Sequence, residues 1–150
     1  MPSSSRIAWL SDLIRLEIVL WDRINARLKA EHDLSLAFFQ TLYFIGHSPD
    51  GSLRVGDLAR ALCITVGAAS KLVDRVEAAG LIRRELDADD RRASRVALSA
   101  TGRGMLTNAS ATCEAAMATV LDVALTVDEQ QQVHTRIRRL LNAAERGEPL

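Results

Sequence analysis

Apolar positions near the start of the chain follow the spacing of one long helix, predicted from about Ile7 to Lys29. Its first apolar line repeats at intervals of three and four residues, and Glu17 is its only polar member. This line consists of Ile7, Leu10, Ile14, Glu17, Trp21, Ile24 and Leu28. A second line consists of Leu13, Leu16 and Leu20. Because a helix that is apolar on two sides is buried on two sides, we expect one side to cover its own domain and the other to meet a partner chain.

The middle of the chain alternates short helices with short extended segments. Ser35 is predicted to cap a helix over Leu36–Gly46, which a turn rich in Pro, Asp and Gly follows. Thr65 is predicted to cap a later helix, which Gly80 ends. The other predicted elements are a strand over 52–55, a helix over 57–62, the Thr65-capped helix over 66–79, and strands over 81–86 and 95–98. The polar segment 87–94 joins the last two strands into a β-hairpin with a long loop.

Two more long helices are predicted after the hairpin, the first capped by Ser99 over about 100–125 and the second opened by a Thr126–Glu129 capping box. The order of elements predicts a mainly α fold with a small β-hairpin, in a single domain of 150 residues. Within it, a winged helix-turn-helix region over 34–103 is flanked by dimerisation helices over 1–33 and 104–150. The residues predicted to form the dimer seam are Ile7, Leu10, Ile14, Val133, Ile137 and Leu141.

Composition and charge narrow the class of protein. Apolar residues make up 48% and charged residues 25%, which is globular, and 19 basic against 19 acidic side chains argue against non-specific coating of nucleic acid. The charge is uneven, because residues 51–104 hold ten basic and seven acidic side chains and the remainder holds nine and twelve. No apolar run approaches the ~18 residues of a membrane span, and no secretory signal is recognisable. We therefore expect a cytoplasmic protein without membrane contact.

The helix over 66–79 has apolar inward positions, while its outer positions are small at the start and basic further on. Such a helix fits deep in a major groove, with its first turn near phosphate and its side chains at base edges. We expect Lys71 to reach guanine or phosphate and Ala68 to touch a thymine methyl. The predicted DNA-binding residues of this segment are Thr65, Gly67, Ala68, Ser70, Lys71 and Arg75. The same pattern also fits an amphipathic helix with a solvated outer face.

Arginines surround the predicted hairpin loop, at Arg83, Arg84, Arg91, Arg92 and Arg95. An arginine on a hairpin tip beside a groove-reading helix enters the minor groove, whose negative potential attracts it. The aspartates of the loop oppose DNA contact unless one of them orders an arginine through a bidentate pair. We expect Asp90 to be this brace, Arg91 or Arg92 to be the minor-groove probe, and Arg95 to be a further DNA contact. The alternative is a solvated, charged turn.

Four segments carry a family pattern: DLARAL at 57–62, SKLVDRVEAAGLIRR at 70–84, DDRR at 89–92 and VALSATG at 96–102. The most specific part is the Asp-Arg-Arg tip followed by a strand and a Leu-Ser-x-x-Gly helix start. In these motifs the stretch from Leu36 to Gly102 resembles the MarR family of winged-helix transcriptional regulators. The flanking helices match by length and placement.

The resemblance implies a homodimer that binds a short pseudo-palindromic operator in double-stranded DNA. It implies recognition helices in successive major grooves and wings in the flanking minor grooves. It also implies a repressor that lets go when a small molecule binds or a thiol is oxidised. The segment 66–69 is poorer in polar side chains than the family pattern, so shape readout through the wing is expected to carry more of the specificity.

All six aromatic side chains lie in the first 44 residues, and we interpret them as lining a cleft for a small lipophilic effector. In the family that the chain resembles, aromatic carboxylates and phenols bind at about this place. The predicted pocket residues are Trp9, Trp21, Phe39, Tyr43, Glu17 and His47, with Phe38, Phe44 and Arg15 as further candidates. Aromatic residues at helical spacing equally form a plain core.

Other chemistry is sparse in the sequence. Cys63 is the candidate redox switch, because it lies just before the recognition helix, whereas Cys113 lies on an apolar seam. Two cysteines and three scattered histidines match no metal spacing, so no metal or cofactor is expected. The sequence has no phosphate loop or nucleophile elbow, which argues against an enzyme. Three hypotheses stay open: a ligand-released repressor, a thiol-based regulator on the same fold, and a protein-interaction scaffold that does not bind DNA.

Overall fold

The structure is a computed structural model that describes residues 5–147. The chain divides into two compact units, and the boundary along the sequence lies between Cys113 and Glu114. The first unit opens with α1 (Arg6–His32), which Ser5 caps by accepting the backbone N–H of Ile7 at 3.2 Å. In α1 only Leu28 is fully buried within this unit.

The two apolar lines predicted for α1 are mostly exposed over its first four turns. Ile7 is 76% exposed, Leu10 55% and Ile14 49%. Leu13 and Leu16 on the second line are also exposed. The first part of α1 therefore presents apolar surface on both predicted sides.

The winged region follows α1 in the order that the sequence predicts. Its elements are α2 (Leu36–Gly46), β1 (Ser52–Arg54), α3 (Val55–Leu62), α4 (Val66–Ala78), β2 (Ile82–Leu86) and β3 (Ser94–Leu98). The antiparallel sheet has the order β1-β3-β2, and Leu53 and Arg84 both face Val96 of the central strand. The predicted hairpin, its long loop and the extra short strand are confirmed, with element ends that differ by one or two residues.

The core of the first unit lies between α2, α3, α4 and the sheet. The largest fully buried side chains are Leu28, Leu42, Ile45, Leu58, Val73, Val76, Val96 and Thr41. Of the predicted inward positions of α4, Ala69, Val73 and Val76 have no exposed surface, and Leu72 is half-buried against the core. Burial of this apolar face against α3 fixes which side of α4 is left to solvent.

The start of α5 (Ala100–Ala124) explains the glycine of the Leu-Ser-x-x-Gly segment. Ser99 accepts the backbone N–H of Gly102 at 2.9 Å and donates to the Gly80 carbonyl at 2.6 Å. A Cβ on Gly102 would lie 1.8 Å from the Leu81 carbonyl oxygen. Only glycine allows α5 to begin so close to the segment that enters β2.

A buried hydroxyl joins α1 to α5 within the first unit. Thr112 donates to a Glu31 carboxylate oxygen at 2.7 Å, and its oxygen lies 2.7 Å from His32 Nε2. Since the Thr112 proton is used by Glu31, His32 donates to Thr112. Arg27 donates to the other Glu31 oxygen at 3.0 Å. Hydrogen bonds from Thr112 and Arg27 lower the pKa of Glu31.

The second unit contains the end of α5 and α6 (Val127–Glu145). The predicted capping box is confirmed, because Thr126 and Glu129 each accept a backbone N–H of the other. Along α6, Val133, Ile137, Leu140 and Leu141 are 39–51% exposed. Over residues 5–147 no single helix is long and apolar enough to cross a membrane. Only α5 and α6 taken together reach that length and composition, and the chain bends sharply between them.

Candidate nucleic-acid interface

The first turn of α4 presents small and apolar groups to solvent. Thr65 caps the helix, accepting the Ala68 backbone N–H at 3.1 Å, as predicted. Val66 is 58% exposed, and Gly67 and Ala68 are also exposed. Ser70, predicted at a base edge, is only half-exposed. The outward surface of this turn is therefore more apolar than the predicted set of contacts.

Two cations continue the outer face of α4 at intervals of one turn. Lys71 is exposed, and within residues 5–147 its ammonium makes no ion pair or hydrogen bond. Arg75 is exposed as well, with its guanidinium carbon 5.4 Å from the centre of the Phe38 ring. A cation held over an aromatic face is restrained in position without losing its charge. Lys71 and Arg75 thus lie where the sequence predicts.

Arg84 of β2 ties α4 to the hairpin. Its guanidinium pairs with Asp74 and donates to Glu77 at 2.7 Å, and its backbone N–H donates to Glu77 at 3.0 Å. The Asp74 carboxylate is the main reason why the pKa of Arg84 is raised. The pairing also neutralises two acids on the helix. Arg84 is therefore a positioning residue rather than a free cation.

Asp87 organises the base of the hairpin loop, which we call the wing base. Its side chain is buried, and one oxygen accepts from Arg54 Nε at 2.8 Å and lies 3.6 Å from Arg95 Nη1. The other oxygen accepts the backbone N–H groups of Asp89 and Asp90 at 2.9 and 3.3 Å. These bonds, with that of Arg54 the strongest, lower the pKa of Asp87 to about 2.

The assignment of Asp90 as the brace needs correction. Among the residues that the structure describes, Asp90 pairs with no arginine side chain, and its carboxylate accepts the backbone N–H of Arg92 at 2.9 Å. The Asp90 carbonyl accepts from Ala93 at 3.0 Å, which closes the turn. Asp90 shapes the backbone of the tip, and the acid that pairs with arginines is Asp87. The bond from the Arg92 N–H to the Asp90 carboxylate is that of an Asx turn and not of a bidentate pair with a guanidinium.

The wing tip, Arg91 and Arg92, is exposed as predicted. Neither guanidinium has a hydrogen-bond or ion-pair partner within residues 5–147. Both cations are consequently available to an external anion.

The prediction that Arg95 contacts DNA is not supported by its position. Its guanidinium donates to the Ser52 hydroxyl at 2.8 Å and to the Ser52 carbonyl at 2.9 Å, and lies 3.7 Å from Asp50. The Arg95 side chain is 25% exposed. Because its guanidinium hydrogen-bonds Ser52 of β1 and lies near Asp50 and Asp87, Arg95 fastens β3 to β1 and belongs to the wing base.

An open depression of about 490 Å³ connects the recognition helix with the wing. It is lined by Arg54, Val55, Gly56, Asp57, Arg60, Val66, Ala93 and Ser94. Val66 at the start of α4 and Ala93 beside the wing tip are therefore parts of one concave surface. Arg60 on its edge is neutralised by Asp57.

Among the residues that the structure describes, the predicted effector set is divided between α1 and the region of α2. A shallow depression of about 330 Å³ on α1 is lined by Glu17, Ile18, Trp21 and Asp22, and it includes none of the aromatic residues of α2. Trp9 is exposed.

The aromatic residues of α2 are divided between core and surface. Phe39 belongs to the core, and Tyr43 stacks on His47 with ring centres 4.2 Å apart. The His47 ring bonds to the Tyr43 carbonyl at 2.8 Å, so these two polar groups serve the end of α2.

Cys63 is exposed, in a left-handed conformation (φ 55°) that ends α3, whereas Cys113 is half-buried. No group of three or more His, Cys, Asp or Glu able to hold a metal ion occurs among residues 5–147.

The sequence does not predict the positioning roles of three residues: Arg54 and Asp87 at the wing base, and Arg84 of β2, which pairs with acids of α4. Arg54 and Asp87 are 33 residues apart in the chain, so no local spacing connects them. The available signal was chemical, since several aspartates in an otherwise basic loop require partners.

The α3–turn–α4 arrangement with the β2–β3 hairpin beside it defines a winged helix-turn-helix protein. A family model described as the MarR family matches residues 32–93. The match covers the winged region of the chain, which is therefore similar to that of the MarR family.

Several solved structures are similar. Sco3205, a MarR family transcriptional regulator from Streptomyces coelicolor in complex with DNA, is 26% identical, with a TM-score of 0.81 over 99% of this chain and 91% of that one. The S. aureus MepR–DNA complex is 25% identical, with a TM-score of 0.71 over 90% and 96%. AbsC, a MarR family regulator from Streptomyces coelicolor, shares the fold at 21% identity, with a TM-score of 0.82 over 99% and 98%. The family and the fold are those of transcriptional regulators.

Proposed function

We propose that this protein is a sequence-specific transcriptional regulator that binds double-stranded DNA. The outer face of α4 enters the major groove, and the wing tip enters the adjacent minor groove. The observation that carries the proposal is the concave surface that Val66 of α4 and Ala93 of the wing both line. Near it, Lys71 on α4 and both arginines of the wing tip lack acidic partners among the described residues, so they can bind phosphate. Sco3205 and MepR, which share this fold, are each solved in complex with DNA, and this supports DNA binding by the chain.

The electrostatic part of this proposal has a direct test. Binding to a promoter fragment from the region around the gene is measured while the salt concentration is raised. Because each phosphate contact releases counterions, log affinity falls by about 0.9 per contacted phosphate for each log unit of salt. A protein that binds no fragment even at low salt is not a DNA-binding regulator, and the protein-interaction scaffold then becomes the better hypothesis.

The active form in this proposal is a homodimer. Ile7, Leu10 and Ile14 on α1 are 49–76% exposed, and Val133, Ile137 and Leu141 on α6 are 39–51% exposed. Apolar stripes of this length are costly in water, and a second copy of the chain covers them. A dimer also supplies two recognition helices for half-sites about one helical turn apart.

Charging the seam tests the dimer. Ile14→Glu places a carboxylate on the α1 stripe, so we expect a monomer and a loss of operator affinity of at least about 100-fold, because only one half-site is then engaged. Sedimentation and gel-shift titration measure the two effects. Asp12→Glu, a charge-conserving change in the same helix, is the control. A monomeric Ile14→Glu that binds with the parent's affinity would contradict the dimer.

Repression and release by a small lipophilic ligand complete the proposal. The depression on α1 is lined by the apolar Ile18 and Trp21 and by the acidic Glu17 and Asp22, which supports a ligand with an apolar body and a polar end. A panel of aromatic acids and phenols, added to the DNA complex, tests release.

The thiol-based alternative places the trigger at Cys63. It is exposed and lies two residues before the cap of α4. The double variant Cys63→Ser, Cys113→Ser distinguishes release by thiol oxidation from release by a ligand. Oxidant that still releases DNA from the double variant rules out the thiol switch.

A further inference from the structure

Gly67 lies in α4 at a position where nothing inside the protein requires a glycine. Its backbone is not in the left-handed region, unlike that of Gly80 with φ 75°. Outside its own turn, a Cβ on Gly67 meets no described atom within 4 Å, whereas a Cβ on Gly102 collides with the Leu81 carbonyl. Glycine weakens a helix relative to alanine. In the free protein Gly67 therefore has a cost and no packing role.

The side chains beside Gly67 are apolar and exposed. Val66 is 58% exposed and Ile64 is 38% exposed, and Ala68 adds a methyl group. Thr65, the polar residue among them, uses its hydroxyl to cap the helix. The first turn of α4 therefore offers a partner shape and apolar contact, and few hydrogen-bonding groups.

In the major groove, the apolar group on a base edge is the C5-methyl of thymine. A side chain packs on that methyl only when the helix backbone comes close to the base pair. The absent Cβ at Gly67 provides this approach, and Val66 and Ala68 flank it. The adjoining cation Lys71 is placed one turn further along the same face, where it meets phosphate or guanine.

We propose that the first turn of α4 recognises thymine by its methyl group, with Val66 packed on the methyl and Gly67 as the point of closest approach. This inference rests on the proposed function, since it requires α4 in the major groove. It extends to Val66 the thymine-methyl contact that the sequence predicts for Ala68, and it gives Gly67 a role in that contact.

The first experiment sets stability against affinity. Gly67→Ala is compared with Gly104→Ala, a matched control in α5 whose added Cβ also meets no described atom within 4 Å. Each variant is titrated with a duplex that the parent protein selects from a random-sequence pool, and its Tm is measured. We expect neither Tm to fall, an affinity loss of at least about tenfold for Gly67→Ala, and parental affinity for Gly104→Ala. Parental affinity in Gly67→Ala would overturn the close approach.

The second experiment removes the methyl from the DNA instead, so it decides the matter even if Gly67→Ala lowers the Tm. Each thymine of the selected duplex is replaced in turn by deoxyuridine. We expect the affinity to fall about fourfold when one particular thymine of each half-site is replaced, because the burial of one methyl group is lost. Val66→Ala should remove most of that loss.

Two results would reject thymine recognition: no deoxyuridine position weakens the parent, or Val66→Ala retains the full loss. The proposed function fails differently. In that case the parent selects no duplex from the pool at low salt, and both proposals fall together.

Discussion

The arginines at the wing base and those at the wing tip have the same side chain, but the first are paired with an acid and, among the described residues, the second are not. At the base, Arg54 and Arg95 converge on the buried carboxylate of Asp87, with oxygen–nitrogen distances of 2.8 and 3.6 Å. At the tip, the guanidinium groups of Arg91 and Arg92 have no hydrogen-bond or ion-pair partner among residues 5–147. All four lie within a short distance of one loop, yet only the tip pair is free to meet an external anion.

The contrast teaches that an arginine is available to DNA only if its own fold leaves it unpaired. Asp87 uses both oxygens on the protein, one on guanidinium groups and one on the loop backbone. This fixes the base of the wing, and a fixed base gives the exposed tip a defined position. Preorganisation of this kind lowers the ordering cost of binding.

Among the variants of the wing, the largest combined effect on stability and affinity is expected for Asp87→Asn. The amide keeps an oxygen for the loop N–H groups, but its NH₂ faces Arg54 Nε and the Arg95 guanidinium, so two donors meet donors. We expect a lower Tm and a loss of operator affinity of about tenfold or more, because the wing tip is no longer held in place. Thermal denaturation and fluorescence anisotropy with labelled duplex measure the two changes.

Asp90→Asn is the matched control for that variant. Its amide oxygen still accepts the Arg92 backbone N–H, and the charge change is identical. We expect its Tm and its affinity to stay close to those of the parent. If Asp90→Asn lost as much as Asp87→Asn, the wing base would not be the organising contact.

Changes at the wing tip should separate affinity from stability. Arg91→Ala or Arg92→Ala should cost about 1–3 kcal/mol of binding for whichever arginine enters the groove, with an unchanged Tm. The slope of log affinity against log salt should fall by about one for a lost phosphate contact. Arg138→Ala, an exposed arginine of α6, controls for net charge. Parental affinity in both tip variants would remove the wing from the DNA interface.

The fold could be predicted from the sequence because its signals are local. Ser35, Thr65 and the Thr126–Glu129 box cap helices through groups at most three residues away. The buried face of α4 follows from the helical repeat alone, and the hairpin follows from two apolar strands around a polar loop.

The roles of individual arginines could not be predicted because their partners are distant in the chain. Arg95 is 43 residues from Ser52, and Arg84 is 10 residues from Asp74 in another element. The sequence favours Asp90 as the brace because it lies beside the tip, whereas the role of Asp87 depends on the pairing of β1 with β3, which brings Arg54 alongside. Phe39, a predicted pocket residue, packs in the core through contacts that local spacing does not reveal.

The smallest expected effect is a pH dependence that belongs to the wing base. The hydrogen bond from Arg54 lowers the pKa of Asp87 from its usual 3.8 to about 2. A carboxyl whose pKa is lower in the folded protein contributes stability in full above the unfolded value, and the contribution disappears as the pH falls toward the folded value. The parent should therefore lose more stability between about pH 5 and pH 2.5 than Asp87→Asn, measured by urea midpoints. Glu31 and Glu129, whose pKa values are also lowered, lose stability equally in both proteins, so the difference isolates Asp87. Identical pH profiles would mean that Arg54 and Asp87 are not paired in solution, and the distinction between base and tip would then rest on exposure alone.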